Sequence, residues 1–179
     1  PEWLRFKEQP SIFDEIGKDY PAQYAKEDGT PRVGWDYVKT TLKDIRTDQL
    51  HWVKPPVVHI IIDLDHVNSE GKKDIRKNIE AAMMWPPTYA ELSKSGQAIH
   101  LHYIWTGGNP EKLSLIAKEH EEVKVYSGKL ALRRKLTKCN NLPIAELSSG
   151  LEYKKEDGKT NDEFVIKNEK QIFTMVQKC

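Results

Sequence analysis

His59-Ile-Ile-Ile-Asp-Leu-Asp65 is a β-branched run that ends in two carboxylates, and the neighbouring segments take their meaning from it. Residues 57–64 have the length and branching of a central strand, because β-branched side chains fit the pleated backbone best. Lys54-Pro-Pro56 stops any helix ahead of it, since proline lacks the amide donor. Side chains alternate along a strand, so His59, Ile61, Asp63 and Asp65 share one face and Ile60, Ile62 and Leu64 the other. Two hard oxygen donors side by side suit Mg²⁺ or Mn²⁺.

Downstream, Ile75, Ile79, Ala82 and Met83 recur at helical spacing, which predicts an amphipathic helix ended by Pro86-Pro87, with Met83 and Met84 as core packing. Residues 88–92 and 99–105 are strand-like, and Ser93-Lys-Ser-Gly96 between them makes a hairpin. Asn109-Pro110 is a helix start, with Leu113, Ile116 and Ala117 as its buried stripe. Residues 122–126 alternate as a strand. Ser127 then caps a further expected helix, with Leu132 and Leu136 inward and Lys129, Arg133 and Lys138 outward. Residues 154–162 read as a charged loop, and residues 169–178 as a helix with Ile172, Phe173 and Val176 inward. The first fifty residues, with turns at Glu27-Asp-Gly-Thr-Pro31 and Arg32-Val-Gly-Trp35, look like an α/β lobe leading into the core.

At 179 residues, 38% hydrophobic and 31% charged, the chain is expected to form one domain. Within it, residues 1–54 make an N-terminal part, 55–145 a metal-binding core and 146–179 a loop and C-terminal helix. Pro1 is not a natural start and the last helix ends abruptly, so the chain reads as a fragment. No stretch approaches the roughly 20 apolar residues of a membrane span, and the opening residues do not resemble a signal peptide. Cys139 and Cys179 form no metal-binding or redox spacing, which points to a reducing cytoplasm and away from zinc. The formal charge of +1 conceals a bias: residues 123–145 contain no acid but carry Lys124, Lys129, Arg133, Arg134, Lys135 and Lys138. Such a patch would track a phosphate backbone.

Ser93-Lys-Ser-Gly-Gln-Ala-Ile-His100 supplies the partner to the two aspartates. Hydroxyls and amides in a Gly-containing turn cradle phosphate oxygens, Lys94 adds charge, and His100 is placed to hydrogen bond a triphosphate. Glu122 shares a strand face with Lys124 and is the candidate third acid, while Glu121 faces the opposite way. Two divalent ions bridged by three carboxylates would activate a 3′-hydroxyl and neutralise a pyrophosphate leaving group.

This order of Asp63-x-Asp65 strand, Ser95-Gly-x-x-x-His100 entering a strand, and a hydrophobic strand with Glu122 resembles the archaeo-eukaryotic primase superfamily. Within it the chain is similar to the primase-polymerase domains of phages and mobile elements. The resemblance covers residues 55–145 and is strengthened by Glu91-Leu-Ser-Lys-Ser-Gly96 and Ser127-Gly-Lys-Leu-Ala-Leu-Arg-Arg134, with Arg32-Val-Gly-Trp35 as a weaker addition.

It implies an α/β (α+β) core, bilobed, with an RRM-like sheet flanked by helices. It implies a template-directed nucleotidyltransferase that makes or extends primers with two Mg²⁺ or Mn²⁺ ions. Asp63, Asp65 and Glu122 would be metal ligands, and Ser93, Lys94, Ser95, Gly96 and His100 would hold the nucleotide. Lys124, Lys129, Arg133, Arg134 and Lys138 would hold nucleic acid. Nucleoside triphosphates, a single-stranded or primed DNA template and a helicase region on the same polypeptide are the implied partners, in the cytoplasm of a bacterial host. One departure is Ala98, where the family has glycine or serine two residues before the histidine. A replication-initiator DNA-binding domain, a sugar-nucleotide transferase and a metal-dependent nuclease remain alternatives.

Overall fold

Residues 1–155 are the part of the chain that this computed structural model describes, and the isoleucine run lies at the middle of its larger sheet. In chain order the strands are β1 (Ala22–Tyr24), β2 (His51–Val53), β3 (His59–Leu64), β4 (Ala90–Leu92) and β5 (Ile99–Trp105). They continue with β6 (Ile116–Lys118), β7 (Glu121–Lys124), β8 (Leu132–Arg134) and β9 (Ala145–Leu147). The α-helices among the described residues are α1 (Ile12–Ile16) and α2 (Ile75–Ala82). The fold is thus α+β, built mostly from antiparallel sheets with few helices.

The larger sheet runs β4-β5-β3-β7-β6 with antiparallel neighbours, and β9 lies parallel beside the later residues of β5. β1, β2 and β8 form a separate antiparallel sheet. Both sheets belong to one unit, Pro1–Glu111 with Leu115–Gly150. A second unit takes, among the described residues, Lys112–Ser114 and residues 151–155.

Ile60, Ile62 and Leu64 are fully buried on the face of β3 that α2 covers, while Ile61 on the opposite face joins Phe13, Val53, Tyr126 and Leu132 in a core between the sheets. Burial on both faces explains why the run is apolar without interruption until Asp63. Asp74 caps α2 by accepting the Arg76 amide at 2.9 Å, and buried Asn78 ties the helix to the sheet through Gln97 and His66.

Three expectations fail. Residues 110–117 form only a 3₁₀ turn (Pro110–Lys112) and then β6, because the stripe of Leu113 and Ile116 serves strand pairing instead of a helix face. The helix expected after Ser127 is absent, and its centre is β8, hydrogen bonded to β2 with Trp52 opposite Arg133. In that segment Leu132 and Arg134 point inward and Arg133 outward, a period of two that the basic residues disguised. Met83 and Met84 lie beyond the end of α2 and are 52% and 75% exposed, so they are not core. The loop and helix expected beyond residue 155 lie outside the described residues.

Arg134 fastens the smaller sheet to the larger. Its guanidinium, 4% exposed, donates through Nε and Nη2 to the Glu91 carboxylate on β4 at 2.9 and 2.7 Å, while Nη1 meets Asp14 Oδ1 of α1 at 2.9 Å. Burial pushes the Glu91 carboxyl up, but the Arg134 charge and hydrogen bonds outweigh it and bring it to about 2. Tyr89 donates to the same carboxylate, and Phe13 lies under the guanidinium at 4.7 Å. Removing one member of such a pair leaves a buried charge alone. Arg134→Ala is therefore expected to lose about 3–5 kcal/mol of unfolding free energy in a urea titration, and a loss below about 1 kcal/mol would show the contact to be incidental.

Candidate functional site

Antiparallel register sets the site. Asp63 of β3 lies directly opposite His100 of β5 on one side and Glu122 of β7 on the other, so the three groups form a row across adjacent strands. Directly opposed residues have their Cβ atoms within about 5.5 Å, which makes this row a consequence of pairing alone. The face assignment read from the sequence holds on β7. Glu122 is exposed on the Asp63 face, and Glu121 is buried on the other, where it accepts Trp85 Nε1 at 2.9 Å and meets His66 Nε2 at 2.7 Å.

His100 Nε2 stands 3.4 Å from Asp63 Oδ1. Burial pushes the Asp63 carboxyl up, yet its contact with His100, helped by Lys124 and Lys73, holds it below its ordinary value. Burial likewise pushes the His100 imidazole down, and Asp63 more than reverses this. His102, on the same strand face, goes elsewhere: it is fully buried in the core and pairs with His59 at 2.9 Å.

Asp65 lies one residue past β3, where its amide donates to the His120 carbonyl at 2.9 Å. His120 sits in the left-handed region at φ 64°. The Asp65 Oδ1 atom is buried and accepts no hydrogen bond among the described residues, with Lys73 Nζ 3.6 Å away. An orphaned carboxylate oxygen beside a second carboxylate at a strand end is a donor set that fits a divalent cation. Glu122 is less suited, because its carboxylate is held by Lys124 Nζ at 2.9 Å. Among the described residues no three His, Cys, Asp or Glu side chains converge closely enough to hold an ion.

The smaller sheet supplies the facing wall of a cleft. Ser93, Lys94, His100, Arg133 and Lys135 line one end, a cavity of about 140 Å³. Trp52, Asp63, Lys124, Tyr126 and Arg133 line the other, a cavity of about 230 Å³. His100 and Arg133 border both. Arg133 reaches the cleft across Gly29, where a Cβ would come within 2.8 Å of its Nη2. Gly29 also has φ +90°, and its carbonyl accepts Trp52 Nε1 at 2.9 Å, so this turn, visible in the sequence as Asp28-Gly29-Thr30, positions two cleft residues.

The hairpin turn forms as expected. Ser93 N–H donates to the Ala98 carbonyl at 2.9 Å, and Gly96 takes φ +78°. Ser93 and Lys94 border the cleft, while Ser95 and Gly96 shape the turn, Ser95 Oγ accepting the Gln97 amide at 3.3 Å.

The five residues expected to hold nucleic acid do not share a helix. Lys124 and Arg133 enter the cleft, Lys129 borders a groove with Arg32, Trp35 and Tyr37, and Lys138 is exposed. Arg134 is corrected outright: its donors are committed to Glu91 and Asp14, which leaves none for a phosphate. Trp52 and Tyr126 were not singled out beforehand. Tyr126 was within reach of sequence reasoning, since the alternation that chose Glu122 and Lys124 continues to it. No helix among the described residues is long and apolar enough to cross a membrane. No protein-family model matches the chain, and no curated protein matches it.

The Asp63–His100 contact makes stability depend on pH. The raised His100 contributes fully below the unfolded histidine value of 6.5 and is lost as pH rises through its folded value. The depressed Asp63 contributes above the unfolded value of 3.8 and is lost as pH falls through its folded value. The stability advantage of the wild type over Asp63→Asn is therefore expected to peak between about pH 4 and 6.5 in urea titrations, and a pH-independent difference would dismiss the coupling.

Proposed function

We propose that the chain is a template-directed nucleotidyltransferase of the primase-polymerase kind, with a bilobed core whose cleft takes a nucleoside triphosphate. The single observation that carries this reading is the His100–Asp63–Glu122 row facing Arg133 across a cleft. One end of that cleft offers Lys94, Arg133 and Lys135, enough positive charge for a polyphosphate, with His100 at its junction with the carboxylate end. Asp63 and Asp65 would hold Mg²⁺ or Mn²⁺, with Glu122 joining them once released from Lys124. A bound divalent ion supplies charge neutralisation for the leaving pyrophosphate and acidifies an attacking hydroxyl.

The protein's own groups do the rest. His100, whose contact with Asp63 favours its protonated form, donates a hydrogen bond to a phosphate oxygen, and Arg133 fixes the polyphosphate opposite the acids. A single-stranded template fits the groove of Arg32, Val33, Trp35, Tyr37 and Lys129, whose loop is pinned where Gln23 bonds both the Val33 amide and carbonyl at 2.9 and 3.0 Å. Aromatic faces for bases beside cations for phosphates are what single strands bind.

A second reading, a replication-initiator domain that binds DNA without synthesis, is favoured by the Glu122–Lys124 pair, which neutralises one acid from within. Nucleotide incorporation on a primed template with Mn²⁺ or Mg²⁺ separates them. Asp63→Ala is expected to lower incorporation by roughly 10²–10³-fold or more while single-strand binding survives. His100→Ala should weaken triphosphate binding by about tenfold with template binding unchanged. Wild-type protein that binds DNA and incorporates nothing would favour the initiator.

A further inference from the structure

Between β3 and α2 the chain makes a short hairpin. Val67 and Lys73 form an antiparallel bridge, the Asn68 amide donates to the Lys72 carbonyl at 2.8 Å, and Asn68 Oδ1 accepts the Glu70 and Lys72 amides at 2.8 and 3.0 Å. Gly71 turns the chain at φ +80°, a conformation that costs a glycine little. Behind the bridge, the Asp74 amide donates to the His66 carbonyl at 3.0 Å, and Asp74 then caps α2. The hairpin is thus closed next to Asp65, and it returns Lys73 to the side of that residue.

Lys73 Nζ stands 3.6 Å from Asp65 Oδ1, within ion-pair range and beyond a hydrogen bond. This is the buried oxygen that accepts no hydrogen bond among the described residues. The lysine side chain is 51% exposed, and its charge also helps to hold the Asp63 carboxyl down. Lys73 therefore acts on both aspartates from outside the sheet, whereas His100 and Lys124 belong to the strands that flank β3. A loose, half-solvated ammonium is a weak partner for a carboxylate. A doubly charged ion that takes the same oxygen at about 2.1 Å is repelled by it.

We propose that Lys73 sets the affinity of the divalent-cation site, by competing with the ion for the Asp65 carboxylate and keeping the site weaker than its oxygen donors alone would make it. This rests on the reading above in which Asp63 and Asp65 hold the ion, and it names the residue that opposes them. Displacement needs no rearrangement of the sheet, because the hairpin fixes the backbone while the exposed side chain rotates into solvent.

Mn²⁺ binding to the whole chain, read from the electron paramagnetic resonance signal of the free ion, tests this without any turnover. Lys73→Gln is expected to bind Mn²⁺ roughly fivefold tighter than wild type at low ionic strength, with the gain shrinking as KCl is raised. Lys73→Arg keeps the charge and should bind no tighter than wild type. Lys72→Gln makes the same change in net charge one residue away, and it should stay within about twofold of wild type if position rather than total charge decides. Unchanged or weaker binding by Lys73→Gln, or an equal gain in Lys72→Gln, would overturn the role of Lys73 and leave the ion site standing. Binding of Mn²⁺ by neither wild type nor Lys73→Gln would overturn the site as well.

Discussion

Pairing of β3 with β5 and β7 imposes a side-chain period of two on three strands at once, and the row of His100, Asp63 and Glu122 follows from that register. A slip of one residue on β7 would bring Glu121 or Val123 opposite Asp63 and turn Glu122 toward the α2 side. The slip is opposed from behind, because Glu121 is fixed by His66 and Trp85. The acid turned away from the Asp63 face therefore holds the one on that face in register.

The cleft needs its second wall as much as its first. Adjacent residues of β8 provide it between them, with Arg134 turned inward to Glu91 and Asp14 and Arg133 turned outward to the cleft. Glu91 is in turn the cross-strand partner of His100, so the contact that fastens the sheets sits beside the group at the junction of the two cavities. Desolvating these charges is costly, and each carboxylate and guanidinium has several partners that offset the cost. A structural ion pair and a candidate binding residue one position apart are indistinguishable by composition, and strand alternation separates them.

Asp63, Asp65 and Glu122 each have a basic side chain of the chain itself nearby: His100, Lys73 and Lys124 respectively. Any divalent ion bound by these oxygens would have to compete with those basic side chains for them.

The central strand, the hairpin at Ser93–Gly96, the helical spacing of Ile75, Ile79 and Ala82 and the facing of Asp63 and Glu122 are all legible in the residues alone. Each follows from branching, glycine, helical spacing or alternation within a few residues of chain. Leu132–Arg134 becomes a strand only in the folded chain: its partner His51–Val53 lies some eighty residues away, and a basic segment with Leu132 and Leu136 four apart satisfies a helical period just as well. The same holds for Ile116–Lys118, recruited to a sheet edge, and for Arg134, whose two carboxylates come from residues 14 and 91. Local pattern sets what a backbone segment prefers, and long-range partners decide which preference is realised and whether a charge meets water or another charge.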